Sequence, residues 1–235
     1  MIVSEEQENM KKSLILLTLN EVHGTRKILP TIKDDLADEI IVVDGGSTDG
    51  TVELFNERGF KVVSQEKRGR GEAFRVGVAN TSGDLLVFFS PDGNEDVADI
   101  PKVFIELVRG ADMVIASRFL PESRNEEDES VLPLRKWVNQ VFSFLANKFW
   151  NKGPYVTDTI NGFRGLTRQT WNRLAPQSTT FTIEYELSIR AMKRGLKITE
   201  FPTVEGNRVG GQSKVPSFRA GLIFLRLLWR EICQN

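Results

Sequence analysis

The chain has 235 residues, 31 Lys and Arg against 32 Asp and Glu, and 40% apolar residues. That near-neutral balance excludes a disordered chain, a collagen and a strongly basic nucleic-acid binder. The single cysteine, Cys233, excludes an intramolecular disulfide and fits a reducing compartment, and no apolar run approaches the roughly 20 residues of a spanning helix.

Residues 1–12 form a polar, acidic tail, unlike a signal peptide. Ser13–Leu19 (SLILLTL) is a continuous apolar run, the pattern of a strand buried on both faces. Gly24–Leu36 reads as a helix with Pro30 as an awkward interior residue. Glu39–Val43 is a second strand, Thr48–Glu57 a helix, Phe60–Ser64 a third strand and Gly71–Asn80 a helix. Asp84–Phe89, Val97–Arg109 and Ala111–Ala116 continue as strand, helix and strand. Arg118–Pro133, with the acidic run Glu126, Glu127, Asp128 and Glu129, reads as a mobile loop whose charges are solvated. Arg135–Trp150 is an aromatic helix, 154–167 a turn-rich stretch, Glu184–Arg194 a helix, Leu196–Phe201 a strand and Pro216–Cys233 a last helix. Alternating strands and helices with short connections predict an α/β fold with a mostly parallel sheet flanked by helices, here as one domain over 1–235.

Ligands of such sheets bind where the strands' carboxyl ends converge. There the chain places Thr18-Leu19-Asn20-Glu21, then Asp44-Gly45-Gly46-Ser47-Thr48-Asp49, then Ser90-Pro91-Asp92-Gly93-Asn94. A dinucleotide-binding domain needs GxGxxG after its first strand, and TLNEVHG lacks it. No GxxxxGK[ST] phosphate loop is present either. Ser47 and Asp49 also suit turns and helix caps, a reading that stays open for Asp44 and Asp49. His23 and Trp171 read as surface and packing residues.

IIVVDGGSTDGT resembles the VDDGSTDGT signature of glycosyltransferase family 2, and LLTLNE resembles that family's P-T-x-N-E stretch. The segment KRGRGEAFRVGVANTSGDLLVFFSPDGN resembles its G-x-G-x-A…G-D segment running into a DxD metal motif. DTINGFRG and RVGGQSK resemble stretches of the polyprenyl-phosphate sugar synthases, of the dolichol-phosphate mannose synthase type. The resemblance spans about residues 13–215 in order. It implies the GT-A fold and inverting transfer of a hexose from a GDP- or UDP-linked sugar to a polyprenyl (dolichyl-type) phosphate. A saccharide hydroxyl acceptor, or a degenerate module that binds without turnover, remain the alternatives.

The resemblance gives nucleotide-sugar binding to Leu17, Thr18, Asn20, Glu21, Asp44, Gly46, Ser47, Arg70, Gly71, Ser90, Pro91 and Asp92. A departing diphosphate gains negative charge, which calls for a cation, and hard oxygen ligands suit Mg²⁺ or Mn²⁺. Asp92 and Asn94 are the implied ligands. Ser90 stands where the family has its first DxD aspartate, so weaker metal affinity or partial metal dependence is expected; Gly45 stands where the family has the second aspartate of VDD. Arg68 and Arg70, in a glycine-flanked loop, suit either the diphosphate or a merely exposed basic loop.

Ser117, Arg118, Arg208, Ser213 and Lys214 are the implied acceptor-phosphate cradle, with Gly210 and Gly211 as a hinge for a lid. Asp92, Asp158 and Arg118 are the implied catalytic set; Asp158, Glu184 and Glu186 are the candidate bases should the acceptor be a hydroxyl. In Pro216–Cys233, Phe218, Leu222, Leu225, Trp229 and Ile232 share one helical face, while Arg219, Arg226 and Arg230 share another. Residues 201–235 hold five Arg or Lys against two acids, a net of +3. Trp137, Val141, Phe144, Phe149 and Trp150 repeat the pattern in the aromatic helix. These faces suit core packing, a homo-oligomer contact or a lipid interface. The chain is expected in the cytoplasm, with peripheral contact to the cytoplasmic membrane face through its C-terminal helix and no nucleic-acid partner.

Overall fold

A computed structural model describes residue 7, residues 9–125, residue 128, residues 134–206, residue 209 and residues 217–234. β1 (Lys12–Thr18) has six buried residues of seven, and Lys12 leaves the polar tail to begin the sheet. α1 (Val22–Ile28) is much shorter than the expected helix over Gly24–Leu36. Pro30 has no N–H to continue the ladder, and the chain tightens into 3-10 turns at Leu29–Thr31 and Asp34–Leu36. β2 (Glu39–Asp44), α2 (Thr51–Glu57), β3 (Lys61–Ser64), α3 (Arg70–Ala79), β4 (Leu85–Phe89), α4 (Ile100–Val108) and β5 (Met113–Ser117) follow the expected order. α2 begins at Thr51 because Gly50 turns the chain at φ +95°, and a 3-10 turn at Val97–Asp99 precedes α4.

α5 (Leu134–Trp150) is followed by β6 (Arg164–Thr167), inside the stretch expected to be turn-rich, and by α6 (Arg168–Leu174), where no element is expected. α7 (Ile183–Lys193), β7 (Ile198–Pro202) and α8 (Ser217–Cys233) complete the chain. The seven strands form one sheet in the order β3-β2-β1-β4-β6-β5-β7. β6 runs antiparallel to both neighbours, and all other pairs are parallel. The carboxyl ends of the parallel strands therefore meet at one edge, and β6 begins there.

Apolar side chains alternate across the sheet. Leu14, Leu16, Val42, Val87 and Val114 pack with Phe55, Val103 and Phe104 on one face; Ile15, Val43, Phe88 and Ile115 pack with Phe74, Phe142 and Tyr185 on the other. Phe74 stacks on Phe88 at 4.0 Å, and Trp171 lies 6.1 Å from Phe88, which makes that tryptophan a packing residue. Gly165 lets α4 lie directly on β6, since a Cβ there would stand 2.4 Å from Val103.

α8 is docked through charge as well as apolar packing. Glu186 on α7 accepts from Arg190 at 2.8 Å and from Arg230 on α8 at 2.6 Å, and Glu231 pairs with Arg190 and Lys193. Glu186 also accepts from the N–H groups of Gln177 and Ser178. Phe224, Leu227 and Leu228 are the buried face of α8. The other face is open: Leu222, Leu225, Trp229 (69%) and Ile232 are exposed, as are Trp137, Val141, Phe144 and Phe149 on α5. Core packing is therefore not the role of these two apolar faces; Trp150 alone turns partly inward. The side chains of Phe218 and Arg219 lie outside the described residues. No described helix is long and apolar enough to cross a membrane.

Candidate active site

The loops after β1 and β2 interlock at the carboxyl edge of the sheet. At the end of β2, Asp44 is buried and accepts from the N–H groups of Gly46 (2.8 Å) and Ser47 (2.9 Å), and from the Ser47 hydroxyl. The turn reading therefore holds for this carboxylate, which shapes the GGS loop. Gly46 needs its glycine, at φ +95°; a Cβ there would stand 3.9 Å from the Arg68 guanidinium. Asn20, itself left-handed at φ +55°, accepts from the Thr48 N–H at 2.8 Å, and its own N–H donates to the Ser47 hydroxyl. Asp49 accepts from the N–H and the hydroxyl of Thr51, the first residue of α2, and from the Val22 N–H; these bonds outweigh burial and hold its carboxyl below the usual range. Glu21 opens α1, and its N–H donates to Thr51. Leu17 packs in the core, so only its backbone is near the loop; Thr18, beside it, has a buried hydroxyl without a described partner. His23 is exposed on α1.

The Ser90–Glu95 turn follows β4. Asp92 and Asn94 are buried, each 5% exposed, as are Ser90 and Pro91. The Asp92 carboxylate accepts from the Asn94 N–H at 3.3 Å. Asn94 donates its amide N–H to Glu205 at 3.2 Å, while its Oδ1 is buried without a partner. Glu95 accepts from the Ser90 N–H; burial and the neighbouring Asp92 charge push its carboxyl up to about 8. Arg70 donates to the Ser90 hydroxyl at 3.1 Å and pairs with buried Glu184. Burial opposes the Arg70 charge, but Glu184, Glu95 and Asp92 outweigh it and hold the guanidinium firmly protonated. Gly69 and Gly71 are required because the loop runs against residues 178–180: a Cβ would meet the Thr179 and Ser178 carbonyl oxygens at 2.1 and 2.0 Å.

Among the described residues no three His, Cys, Asp or Glu side chains form a ready metal cage. The turn nevertheless suits a hard divalent cation. It presents one buried carboxylate, one buried amide oxygen with no other partner, and further acids whose crowding a positive ion relieves.

After β5, Arg118 is gripped by fully buried Asp158. Its Nε donates at 2.7 Å and its Nη2 at 3.1 Å to the two carboxylate oxygens, a bidentate pair, while the Arg118 N–H adds a third bond at 3.2 Å. Nη1 lies 3.7 Å from Glu205. Burial opposes the charge, and Asp158 and Glu205 raise the guanidinium above its usual range. Asp158 also accepts from the Asn161 N–H, so both its oxygens are committed to positioning. The Ser117 hydroxyl is fully buried against Thr157 at 2.6 Å, which removes it from the acceptor cradle and makes it a holder of the 157–158 loop. Arg208, Gly210, Gly211, Ser213 and Lys214 lie outside the described residues, as do Glu126, Glu127 and Glu129.

Several site residues carry no signal in their local sequence. Glu205 meets Asn94 across 111 positions. Fully buried Arg164 donates to the carbonyls of Thr159, Asn161 and Glu184, welding the Asp158 loop to α7; burial lowers it to about 10. Gly162 leaves room for Arg70, whose Nη2 would lie 1.9 Å from a Cβ. Gly24 on α1 touches the Asp92 backbone, where a Cβ would stand 2.3 Å from its carbonyl carbon. Gly24→Ala is expected to cost about 1–3 kcal/mol, read as a lower melting temperature; unchanged melting would mean that α1 shifts away at no cost.

Residues 13–172 match the family model described as Glycosyl transferase family 2. The chain is 30% identical over 221 residues to the glycosyltransferase AglJ of Haloferax volcanii, covering 93% of this chain and 71% of that protein. It is 29% identical to the dolichyl-phosphate hexose transferase of the same organism (89% of this chain, 88% of that protein) and 25% identical to the undecaprenyl-phosphate mannosyltransferase of Micrococcus luteus (88% of each). Among solved structures it resembles glucosyl-3-phosphoglycerate synthase from Mycobacterium tuberculosis in complex with Mn²⁺ and UDP-glucose, with TM-score 0.71 and 26% identity over 94% of this chain and 78% of that one.

Proposed function

Because the chain belongs to glycosyltransferase family 2 and is a transferase, we propose that it moves a hexose from a nucleotide diphosphate sugar to a polyprenyl phosphate, with inversion at the anomeric carbon. The observation that carries the acceptor class is Arg118, pre-oriented by Asp158 beside the Asp92–Asn94 turn. A guanidinium so held is a phosphate ligand in wait, its entropy of ordering already spent. A phosphate acceptor, with its second pKa about 6, is nucleophilic at pH 7 and needs no general base. A hydroxyl acceptor does need one. The three candidate bases, Asp158, Glu184 and Glu186, are all buried and ion-paired.

In this reading an acceptor phosphate oxygen attacks C1 of the donor sugar. The bond from C1 to the diphosphate oxygen breaks, and its electron pair leaves with the diphosphate. Arg118, with Arg208 and Lys214, holds the acceptor. Arg68 and Arg70 face the diphosphate, and the Asn20–Glu21 and Asp44–Ser47 loops seat the nucleoside. Asp92 and Asn94 are the residues that would hold Mg²⁺ or Mn²⁺. When bound, that ion neutralises the charge building on the leaving group. The UDP-glucose complex of the related synthase was formed with Mn²⁺, and two relatives are named for lipid-phosphate acceptors. The exposed apolar faces of α5 and α8 fit the edge of a bilayer, where such an acceptor resides.

The test is nucleoside diphosphate release across a panel of sugar nucleotides with Mn²⁺, with and without a polyprenyl phosphate. Release that depends on the lipid phosphate is expected. Release that responds to free saccharides and ignores the lipid phosphate would overturn the acceptor assignment.

A further inference from the structure

We infer that Glu205 is a positioning residue of the cation site, supplying the negative charge that Ser90 lacks and fixing the amide of Asn94. The inference rests on the reading that Asp92 and Asn94 hold the cation. An amide offers a metal its oxygen, not its nitrogen. Which end of Asn94 faces the site is therefore decisive, and Glu205 decides it. The Glu205 Oε1 accepts from the Asn94 Nδ2 at 3.2 Å, so the amide oxygen points elsewhere, and that oxygen is buried without a partner. The flipped amide would set Oδ1 against a carboxylate, a repulsive contact in a buried place.

The carboxylate is itself held. Its Oε2 accepts from the Asn125 Nδ2 at 3.2 Å, and Arg118 Nη1 stands 3.7 Å from Oε1. The backbone repeats the connection: the Glu205 N–H donates to the Arg124 carbonyl at 2.9 Å, and the Gly206 N–H to the Asn94 carbonyl at 2.8 Å. One buried acid, just past β7, thus joins the turn after β4 to the segment after β5. At Ser90 the structure has a neutral hydroxyl facing Arg70 at 3.1 Å. Beside the local acid Glu95, which accepts from the Ser90 N–H, Glu205 adds a carboxylate from a distant part of the chain.

The experiment is a titration of the intact chain with Mn²⁺ alone, followed by loss of the free-ion electron paramagnetic resonance signal, with thermal melting run in parallel. Asp92→Asn serves as the control for the site itself. Glu205→Gln is expected to weaken Mn²⁺ affinity at least tenfold, and adding Ser90→Asp to it should restore most of the loss. Mn²⁺ binding of Glu205→Gln at wild-type strength, while Asp92→Asn loses it, overturns the role of Glu205 and leaves the site intact. No recovery in the double variant overturns the charge substitution. Wild-type binding that Asp92→Asn leaves unchanged sinks the underlying site, and this inference with it. Should Glu205→Gln fail to fold, Asn125→Ala removes one described anchor of the same carboxylate, beside Asn94 and Arg118: weakened binding supports the role, and wild-type binding refutes it.

Discussion

Replacing Asp92 by alanine is expected to lower nucleoside diphosphate release by about 100- to 1,000-fold, the usual effect of removing one group that stabilises developing charge. Ser90→Ala is expected to cost only a few-fold. The asymmetry follows from geometry. Asp92 is a buried carboxylate on a turn braced by the Gly24 contact and the Asn94 N–H. Ser90 offers a neutral hydroxyl whose one described side-chain contact is Arg70, and Arg70 keeps Glu184 when that contact is lost. Steady-state rates over a Mn²⁺ series measure both variants. A large loss in Ser90→Ala with normal rates in Asp92→Ala would move the cation to the other end of the turn.

The second large effect concerns the Arg118–Asp158 pair. Arg118→Ala leaves a fully buried carboxylate without its counter-ion, which costs about 3–5 kcal/mol. For a chain of this size that corresponds to a fall in melting temperature on the order of 10 °C. Removing both charges, as Arg118→Ala with Asp158→Ala, is expected to return much of the stability. Transfer to the lipid phosphate should stay absent, because the guanidinium we propose as the acceptor's ligand is gone. Calorimetry and the transfer assay separate the two roles. A double variant that regains stability and transfer together would make the pair purely structural.

The alternation of strand and helix up to β5 was legible because each buried strand is an unbroken apolar run, as in SLILLT and LLVFF. The position of the candidate site's loops after β1, β2 and β4 was legible for a related reason: each follows such a strand directly. β6 was hidden because RGLT has a charge, a glycine and a threonine among four residues. Its arginine is buried only because carbonyls from Thr159, Asn161 and Glu184 surround it, a circumstance that local composition does not carry. Pro30 marked a break in α1, but not how much helix would be lost beyond it. The roles of Glu205, Gly24 and Gly162 depend on contacts between segments far apart in the chain, so no spacing rule announces them. Helical spacing did find the apolar faces of α5 and α8. It could not say whether they turn inward, because periodicity gives a stripe and not its direction.

The reversed strand has an architectural consequence. Neighbours of β6 send their exits to the working edge, whereas β6 sends the peptide that leads into it, residues 154–163. That peptide holds the arginine clasp and arrives from α5 without crossing over the sheet between parallel strands. The antiparallel turn of β6 thus lets a segment from outside the parallel ladder deliver Asp158 to Arg118, while the strands on the β1–β2–β3 side keep their parallel wiring.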